Sequence, residues 1–503
     1  MNNPSSEKTS EEISSILVLG GGSAGLLAAL TLKCLLPHYV VRLVRSKEIG
    51  VIGVGEGTTA LFPHFLFDIL GISKERFYRE AMPTWKQGIR FLWGERGDYF
   101  YDFGFQYDQK FSGMEKATGY YADDCCDDLS EVCSMMKAGK AFATGPLNKP
   151  LIKGEYAFHV ENEKLVRTLT NIASEKGVLI EEDTLVHADT DEHGVSKLHF
   201  QSGVSHSADL YIDATGFRSE LIAKSLGVPL KTFSGSLFCD RAVIGGWVRQ
   251  EEHLQAYTTA ETMDAGWCWQ IEHEHFINRG YVYASEFITD EVAEAEFRRK
   301  NPRLGSTRVV KFRSGRMERS WEKNVVAIGN SSGFVEPLEA TALAQIIFAS
   351  RGLVEMLQNS RHRPGDGQRD QYNLFVGRAW DEIRDFLAFH YKFNTLRDTP
   401  FWRHCQEHTD LGDFQVFYDL YQKIGPSPSL IDALPYRPNI YGIEGYLVHL
   451  LGMKVPHHAM HVASPQERSI WEKNRSRHRL VASRALTCQQ ALDAIRKPQW
   501  SWA

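Results

Sequence analysis

Apolar and polar positions along the first 350 residues fall into short blocks rather than one long repeat. Ile16-Leu-Val-Leu19 is a short apolar run, Gly20-Gly-Gly-Ser-Ala-Gly25 follows, and Leu26 to Leu36 is an apolar stretch of helical length. That order predicts strand, glycine turn and helix. Tyr39 to Val44 predicts a second strand, which completes a βαβ unit and starts a parallel sheet. Residues 158 to 177 read as a helix, with Leu165, Leu169, Ile172 and Ala173 at helical spacing before Gly177, and Val178-Leu-Ile180 reads as the next strand. Leu210-Tyr-Ile-Asp213 and Asn324-Val-Val-Ala-Ile328 predict two more strands, each running into a turn that contains glycine. From about Arg361 the texture changes. HRPGDGQRD (362 to 370) predicts a turn-rich hinge, and the remainder is helical in pattern. The fold class that follows is α/β with a helical C-terminal part.

Composition narrows the function classes. A chain of 503 residues, 43% hydrophobic and 24% charged, is globular and long enough for two or three domains or one large elaborated one. Its net charge of -6 supplies no phosphate-neutralising surface, so nucleic acid is not an expected partner. The first twelve residues, MNNPSSEKTSEE, are polar and carry three glutamates, unlike a signal or transit peptide. The apolar run from Ile16 to Leu32 is broken by four glycines and does not read as a membrane span. A cytoplasmic chain with no membrane partner is expected. Eight cysteines include no Cys-x-x-Cys pair, so reduced and mostly buried thiols are expected. Aromatic residues make up 12%, enough to fill a core or to wall a pocket for a planar ligand.

Gly20-x-Gly22-Ser23-Ala24-Gly25 sits between a predicted strand and a predicted helix. Glycines there permit a tight turn and close backbone approach, and the helix start offers unpaired N–H groups to a pyrophosphate. The acid expected at the end of the second strand, to hold a ribose, is Arg45 instead. No metal site is expected: His457, His458 and His461 lack a cysteine or carboxylate at motif spacing, and Glu272-His-Glu-His275 reads as a polar strand end. Asp123, Asp124, Asp127 and Asp128 read as a solvated loop.

Seven further segments occur in order: Gly53-Val-Gly-Glu-Gly-Thr-Thr59, Trp85-Lys86-Gln-Gly88, Tyr156-Ala-Phe-His159, Asp213-Ala-Thr-Gly-Phe-Arg218, Gly266-Trp-Cys-Trp-Gln-Ile271, Gly329-Asn-Ser-Ser-Gly-Phe-Val-Glu-Pro-Leu-Glu339 and Ile383-Arg-Asp-Phe386. With them, the chain resembles flavin-dependent halogenases of the tryptophan-halogenase type from residue 16 to about 403. The resemblance implies a Rossmann-like FAD-binding module of the flavin monooxygenase type, formed by residues 13–230 and 305–358 with the Lys86 segment inserted. It further implies a disordered polar arm at 1–12, a substrate-side sheet region at 231–304 and a helical region at 359–503 covering the substrate pocket. Reduced FAD, oxygen and chloride or bromide would form hypohalous acid, with a separate NADH-dependent flavin reductase supplying the reduced FAD. Cofactor contacts are implied for Gly20, Gly22, Ser23, Ala24, Gly25, Arg45, Gly55, Glu56, Gly57, Thr58, Asp213, Gly329 and Asn330.

The same resemblance places Lys86 and Glu339 as the groups that pass halogen to a small aromatic substrate such as an indole, pyrrole or phenol. The Lys86 ammonium would polarise hypohalous acid, or its neutral amine would be halogenated directly, a route that burial favours. Glu339 would stabilise the cation formed on the ring and accept its proton. Halide is implied at the N–H groups of Thr341 and Ala342, where the family's Ser-Thr-Gly is Ala340-Thr341-Ala342. Alanine at 342 would adopt a left-handed conformation less freely than glycine. Trp267 and Trp269, at alternate strand positions, would form a wall between cofactor and substrate. The family's next proline is Glu272, which suggests a differently shaped barrier or substrate mouth. Other readings are a flavin monooxygenase that hydroxylates an aromatic substrate, and a non-catalytic flavin-binding or carrier-docking protein.

Overall fold

The computed structural model describes residues 12–48, 55–103, 126–436, 439–458 and 462–502. Most of the polar arm, Gly53, Asp123, Asp124 and His461 lie outside the described residues. The predicted βαβ unit forms from Ser15–Leu19, Ser23–Leu35 and Val40–Arg45. These strands belong to a six-stranded sheet in the order Trp321–Glu322, Val325–Ala327, Leu210–Asp213, Ser15–Leu19, Val40–Arg45 and Leu179–Glu182. All pairs are parallel except the edge strand Trp321–Glu322. The helix Ser23–Leu35 buries Leu26, Leu27, Leu30 and Leu32 and packs on the helices Asn162–Glu175 and Ala342–Asn359. Apolar residues on nearly every side suit a helix enclosed between a sheet and two other helices.

Two predicted boundaries are corrected. Residues 157–161 are a strand, Ala157–Glu161, and the helix starts only at Asn162. Ala157, Phe158, His159 and Val160 are all buried, so this run is a sheet centre with apolar positions on both faces, which helical spacing downstream had absorbed. The hinge at 362–370 is shorter than predicted, because a helix runs from Asp366 to Lys392. Gln368 accepts a bond from the Gly365 N–H (3.0 Å) and Asp366 pairs with Arg369 (2.8 Å), so Asp-Gly opens the first turn of a helix here.

The second large element is a seven-stranded sheet, in the order Arg308–Lys311, Arg241–Val248, Phe276–Tyr283, Gly266–Glu272, Thr258–Met263, Gly88–Leu92 and Tyr99–Asp102. A small three-stranded sheet, Gly55–Gly57, Ala157–Glu161 and Thr84–Lys86, completes the framework around the site. After Asp366–Lys392 the chain is helical, with Pro400–His408, Gln415–Ile424, Gly442–Gly452, Pro465–Arg484 and Cys488–Ile495. Six tryptophans, at 85, 93, 267, 321, 402 and 471, are fully buried, so much of the aromatic content is core. The seven described cysteines are unpaired and six of them are buried. Among the described residues no helix is long and apolar enough to cross a membrane.

Candidate active site

At the end of the first strand, Gly20 adopts φ 120°, and a Cβ there would strike the Ala214 carbonyl. A Cβ on Gly25 would strike the Gly20 carbonyl, so the helix can approach the turn only without one. Gly22 faces open space, and no side chain caps the helix that starts at Ser23. An uncapped helix start beside an open glycine fits a pyrophosphate group, whose oxygens would take the N–H groups left over in the first turn. Arg45 lies against Gly21 and places its guanidinium 3.0 Å from Glu182 and 3.3 Å from Thr170 Oγ1. Gly329, at φ 72°, packs on Ala24, which brings Asn330 to the same end of the sheet. The Asp213 carboxylate accepts from Thr215 N (3.1 Å), Thr215 Oγ1 (2.6 Å), Leu221 N (2.8 Å) and Ile222 N (2.9 Å). Four donors occupy that side chain, so it shapes the 213–222 turn.

The three-stranded sheet joins this end of the molecule to Lys86. Its outer strands, Gly55–Gly57 and Thr84–Lys86, flank Ala157–Glu161. Thr58 exchanges backbone and side-chain bonds with Phe158, while its carbonyl accepts from Lys86 Nζ at 3.1 Å. The lysine is 0% exposed. Burial lowers its pKa to about 7, against a smaller opposing pull from Glu339. Glu56 is pushed the other way by the same cause, up to about 7, and accepts from Asn162 (3.1 Å).

Glu339 reaches the same interior from the other side. A Cβ at Gly57 would lie 3.4 Å from both Lys86 Nζ and the Ala340 methyl, so the glycine sits between the lysine head and the residue that follows Glu339. The Glu339 carboxylate is 2.9 Å from His390 Nε2 and 3.4 Å from His449 Nε2. Burial would raise its pKa, but the two imidazoles outweigh burial and hold it at about 2. The strain anticipated at Ala342 falls elsewhere. Ala342 opens a regular helix, Ala342–Asn359, with Thr341 in right-handed conformation before it, whereas Ala340 has φ 55°.

Trp267 and Trp269 share one face of their strand, with ring centroids 6.1 Å apart. Trp267 Nε1 approaches Glu336 Oε2 (3.5 Å), a carboxyl that burial pushes up to about 7. Trp269 lies across Gly280 of the next strand, where any Cβ would meet its ring. Glu272 ends the same strand. Its buried carboxylate pairs with Arg249 and accepts from Gln270 (2.6 Å), an ion pair at the strand end. Glu274 next to it pairs with Arg496 of the C-terminal region (2.6 and 2.7 Å).

A cavity of about 690 Å³ opens beside Glu339 and Thr341, with Tyr101, Phe103, Phe348 and Tyr441 among its walls. Lys86 Nζ lies 5.4 Å from the Phe103 ring centroid, which places the amine behind this wall. The sequence reading missed His390, His449 and Tyr441. His390 stands four residues after Ile383-Arg-Asp-Phe386, close enough to that motif to have been examined; His449 carries no local signal.

The glycine turn at the end of the first strand and the buried Lys86 and Glu339 belong to the framework of a flavoprotein enzyme. The chain belongs to the tryptophan halogenase family of flavin-dependent halogenases, whose sequence model, described as tryptophan halogenase, matches residues 15–467. It is 32% identical to tryptophan 7-halogenase KtzQ of Kutzneria sp. (strain 744) over 78% of this chain and 79% of that protein. It is 30% identical to tryptophan 7-halogenase RebH of Lentzea aerocolonigenes, over 82% of each. The crystal structure of MibH, titled a lathipeptide tryptophan 5-halogenase, superposes with a TM-score of 0.88 at 35% identity, covering 98% of this chain and 95% of that one.

Proposed function

We propose that the protein halogenates the indole ring of tryptophan, free or within a peptide, using reduced FAD, oxygen and chloride or bromide. The observation that carries this reading is the joint burial of Lys86 and Glu339 beside an aromatic-walled cavity, on a chain of this family. Bound reduced FAD, with oxygen and halide, supplies hypohalous acid. The glycine turn, Arg45 and the segments 55–58 and 329–330 hold the cofactor, and the helix start at Thr341 and Ala342 holds halide. Trp267 and Trp269 keep the substrate ring away from it. A separate flavin reductase delivers reduced FAD.

Lys86, lowered to about 7 by burial, presents a neutral amine in about half of the molecules at pH 7 and in most of them a unit higher. Its lone pair takes the halogen from hypohalous acid, the O–halogen bond breaks, and the hydroxide leaves as water with a proton from the amine. The ring then attacks that halogen, a carbon–halogen bond forms, and the nitrogen keeps the electron pair of the broken nitrogen–halogen bond and takes back from water the proton it lost. Glu339, ionised from about 2 upward, accepts the proton displaced from the ring carbon. Ring and hypohalous acid thus become halogenated ring and water once Glu339 releases its proton.

About 690 Å³ is the size of a site for a drug-like ligand, more than a bare indole needs, and the relatives are titled tryptophan 7-halogenase and lathipeptide tryptophan 5-halogenase. The test is incubation with FAD, a flavin reductase, NADH, oxygen and a halide, against indole, tryptophan and tryptophan-containing peptides. A halogen isotope pattern that requires the halide is expected; gain of one oxygen regardless of halide would overturn the reading. The turnover rate should rise as pH passes through about 7, as Lys86 loses its proton; a fall across that window would assign the work to the ammonium instead.

A further inference from the structure

Three nitrogen and oxygen donors from separate parts of the chain converge behind the cavity. Glu339, His390 and His449 are all buried, and their ligand atoms lie within 4.8 Å of one another. The histidine rings are 4.2 Å apart. His390 Nδ1 lies 2.6 Å from the Phe386 carbonyl, which only accepts, so Nδ1 carries the hydrogen. In the neutral ring Nε2 then presents a lone pair to the Glu339 oxygen at 2.9 Å, so this contact takes either a proton on Nε2 or a metal ion between the two atoms. His449 Nδ1 is 2.9 Å from the Tyr99 hydroxyl, which can donate or accept. Its Nε2, fully buried and turned toward Glu339 at 3.4 Å, makes no hydrogen bond among the described residues.

We infer that Glu339, His390 and His449 form a binding site for a divalent transition metal such as Zn²⁺, and that metal bound there inhibits the enzyme reversibly. Two imidazoles and one carboxylate are a familiar zinc donor set that leaves a fourth position open. Zinc bonds of about 2.0 to 2.2 Å in tetrahedral array put neighbouring ligand atoms roughly 3.3 to 3.6 Å apart, which the 3.4 Å from Glu339 to His449 meets and the 2.9 Å to His390 would reach by opening a few tenths of an ångström. The outer partners are also those that hold ligating histidines, a backbone carbonyl for His390 and a tyrosine hydroxyl for His449. Glu339 lines the 690 Å³ cavity, which provides the entry path and the open coordination position. Inhibition follows because a metal on Glu339 takes the carboxylate that receives the ring proton. That consequence rests on the proposed function; the binding does not.

The test uses the full chain, dialysed against EDTA and titrated with ZnCl₂ by calorimetry, with CoCl₂ as a coloured probe. One Zn²⁺ per chain is expected. His390→Gln and His449→Gln should each weaken it at least tenfold, while His187→Gln, at an exposed histidine, should leave it unchanged. Anomalous diffraction at the zinc edge from crystals of the unaltered protein should show a peak between the three side chains, which keeps the test independent of how the variants fold. Turnover should fall with the same half-saturation as binding. Absence of saturable binding, undiminished affinity in both variants, or a peak only elsewhere overturns the inference. Stoichiometric binding at these residues without halogenation in any assay would instead overturn the proposed function.

Discussion

The glycine turn and the lysine–glutamate end are built in opposite ways. The turn is made by residues 15–45, close together along the chain, and is closed by Ala214 at the end of the neighbouring strand; its geometry is decided by backbone atoms, Gly25 against the Gly20 carbonyl and Gly20 against that of Ala214. The reactive end takes Lys86, Glu339, His390 and His449 from four distant places, and its chemistry is decided by what surrounds those side chains. A backbone-built site tolerates most changes except a methyl group at the wrong glycine. A site built by desolvation tolerates changes of shape better than changes in charge.

Lys86→Met sharpens the comparison most. Turnover should fall by about 10³-fold or more, the order expected when a group that carries the reacting atom is removed. Stability should move the other way. Folded Lys86 titrates at about 7 and an unfolded lysine at about 10.4, so the unfolded state binds more protons between those values and stability rises with pH across that window. Below about 7 both states are charged and the burial penalty is complete. The variant should therefore be more stable at pH 7 by up to about 4 kcal/mol, with the gap closing toward pH 10, as read from urea unfolding at each pH. Equal stability across that range would remove the dry-amine argument.

Gly25→Val tests the backbone-built end. The Cβ collision with Gly20 should cost several kcal/mol and abolish FAD binding, read by flavin fluorescence. A variant that folds and binds FAD normally would mean the turn is looser than its contacts require. Arg249→Gln should cost about 3 kcal/mol in thermal unfolding, because it strands the buried Glu272 carboxylate, yet leave the halogenation site of the product unchanged. A changed regiochemistry would return Glu272 to the wall. The smallest effect is expected from Ala340→Gly, which relieves a left-handed alanine and should stabilise the fold by about 1 kcal/mol. A loss there would show that the methyl packed near Gly57 matters more than the strain.

Much of the scaffold was legible because hydrophobic periodicity and glycine punctuation are local. The strand Leu210–Asp213 appeared where its apolar run predicted it, and so did the turn before Ser23. The helix boundary at Asn162 was not legible, since a strand buried on both faces and the start of a helix look alike over five residues. Lys86 and Glu339 were found through their motifs, but the depressed amine and the ionised carboxylate were not, because each depends on neighbours that only the fold brings to it.

The sequence by itself determined where the chain turns, which glycines must lack a side chain, and which family it belongs to. Only the tertiary structure decided that Thr58 joins Lys86 to the cofactor-side sheet, that two histidines grip Glu339, and that the left-handed residue is Ala340 rather than Ala342. The physical reason is range. Turn geometry is set by sterics between residues a few positions apart, whereas desolvation and charge coupling are set by whatever the completed fold packs around a group.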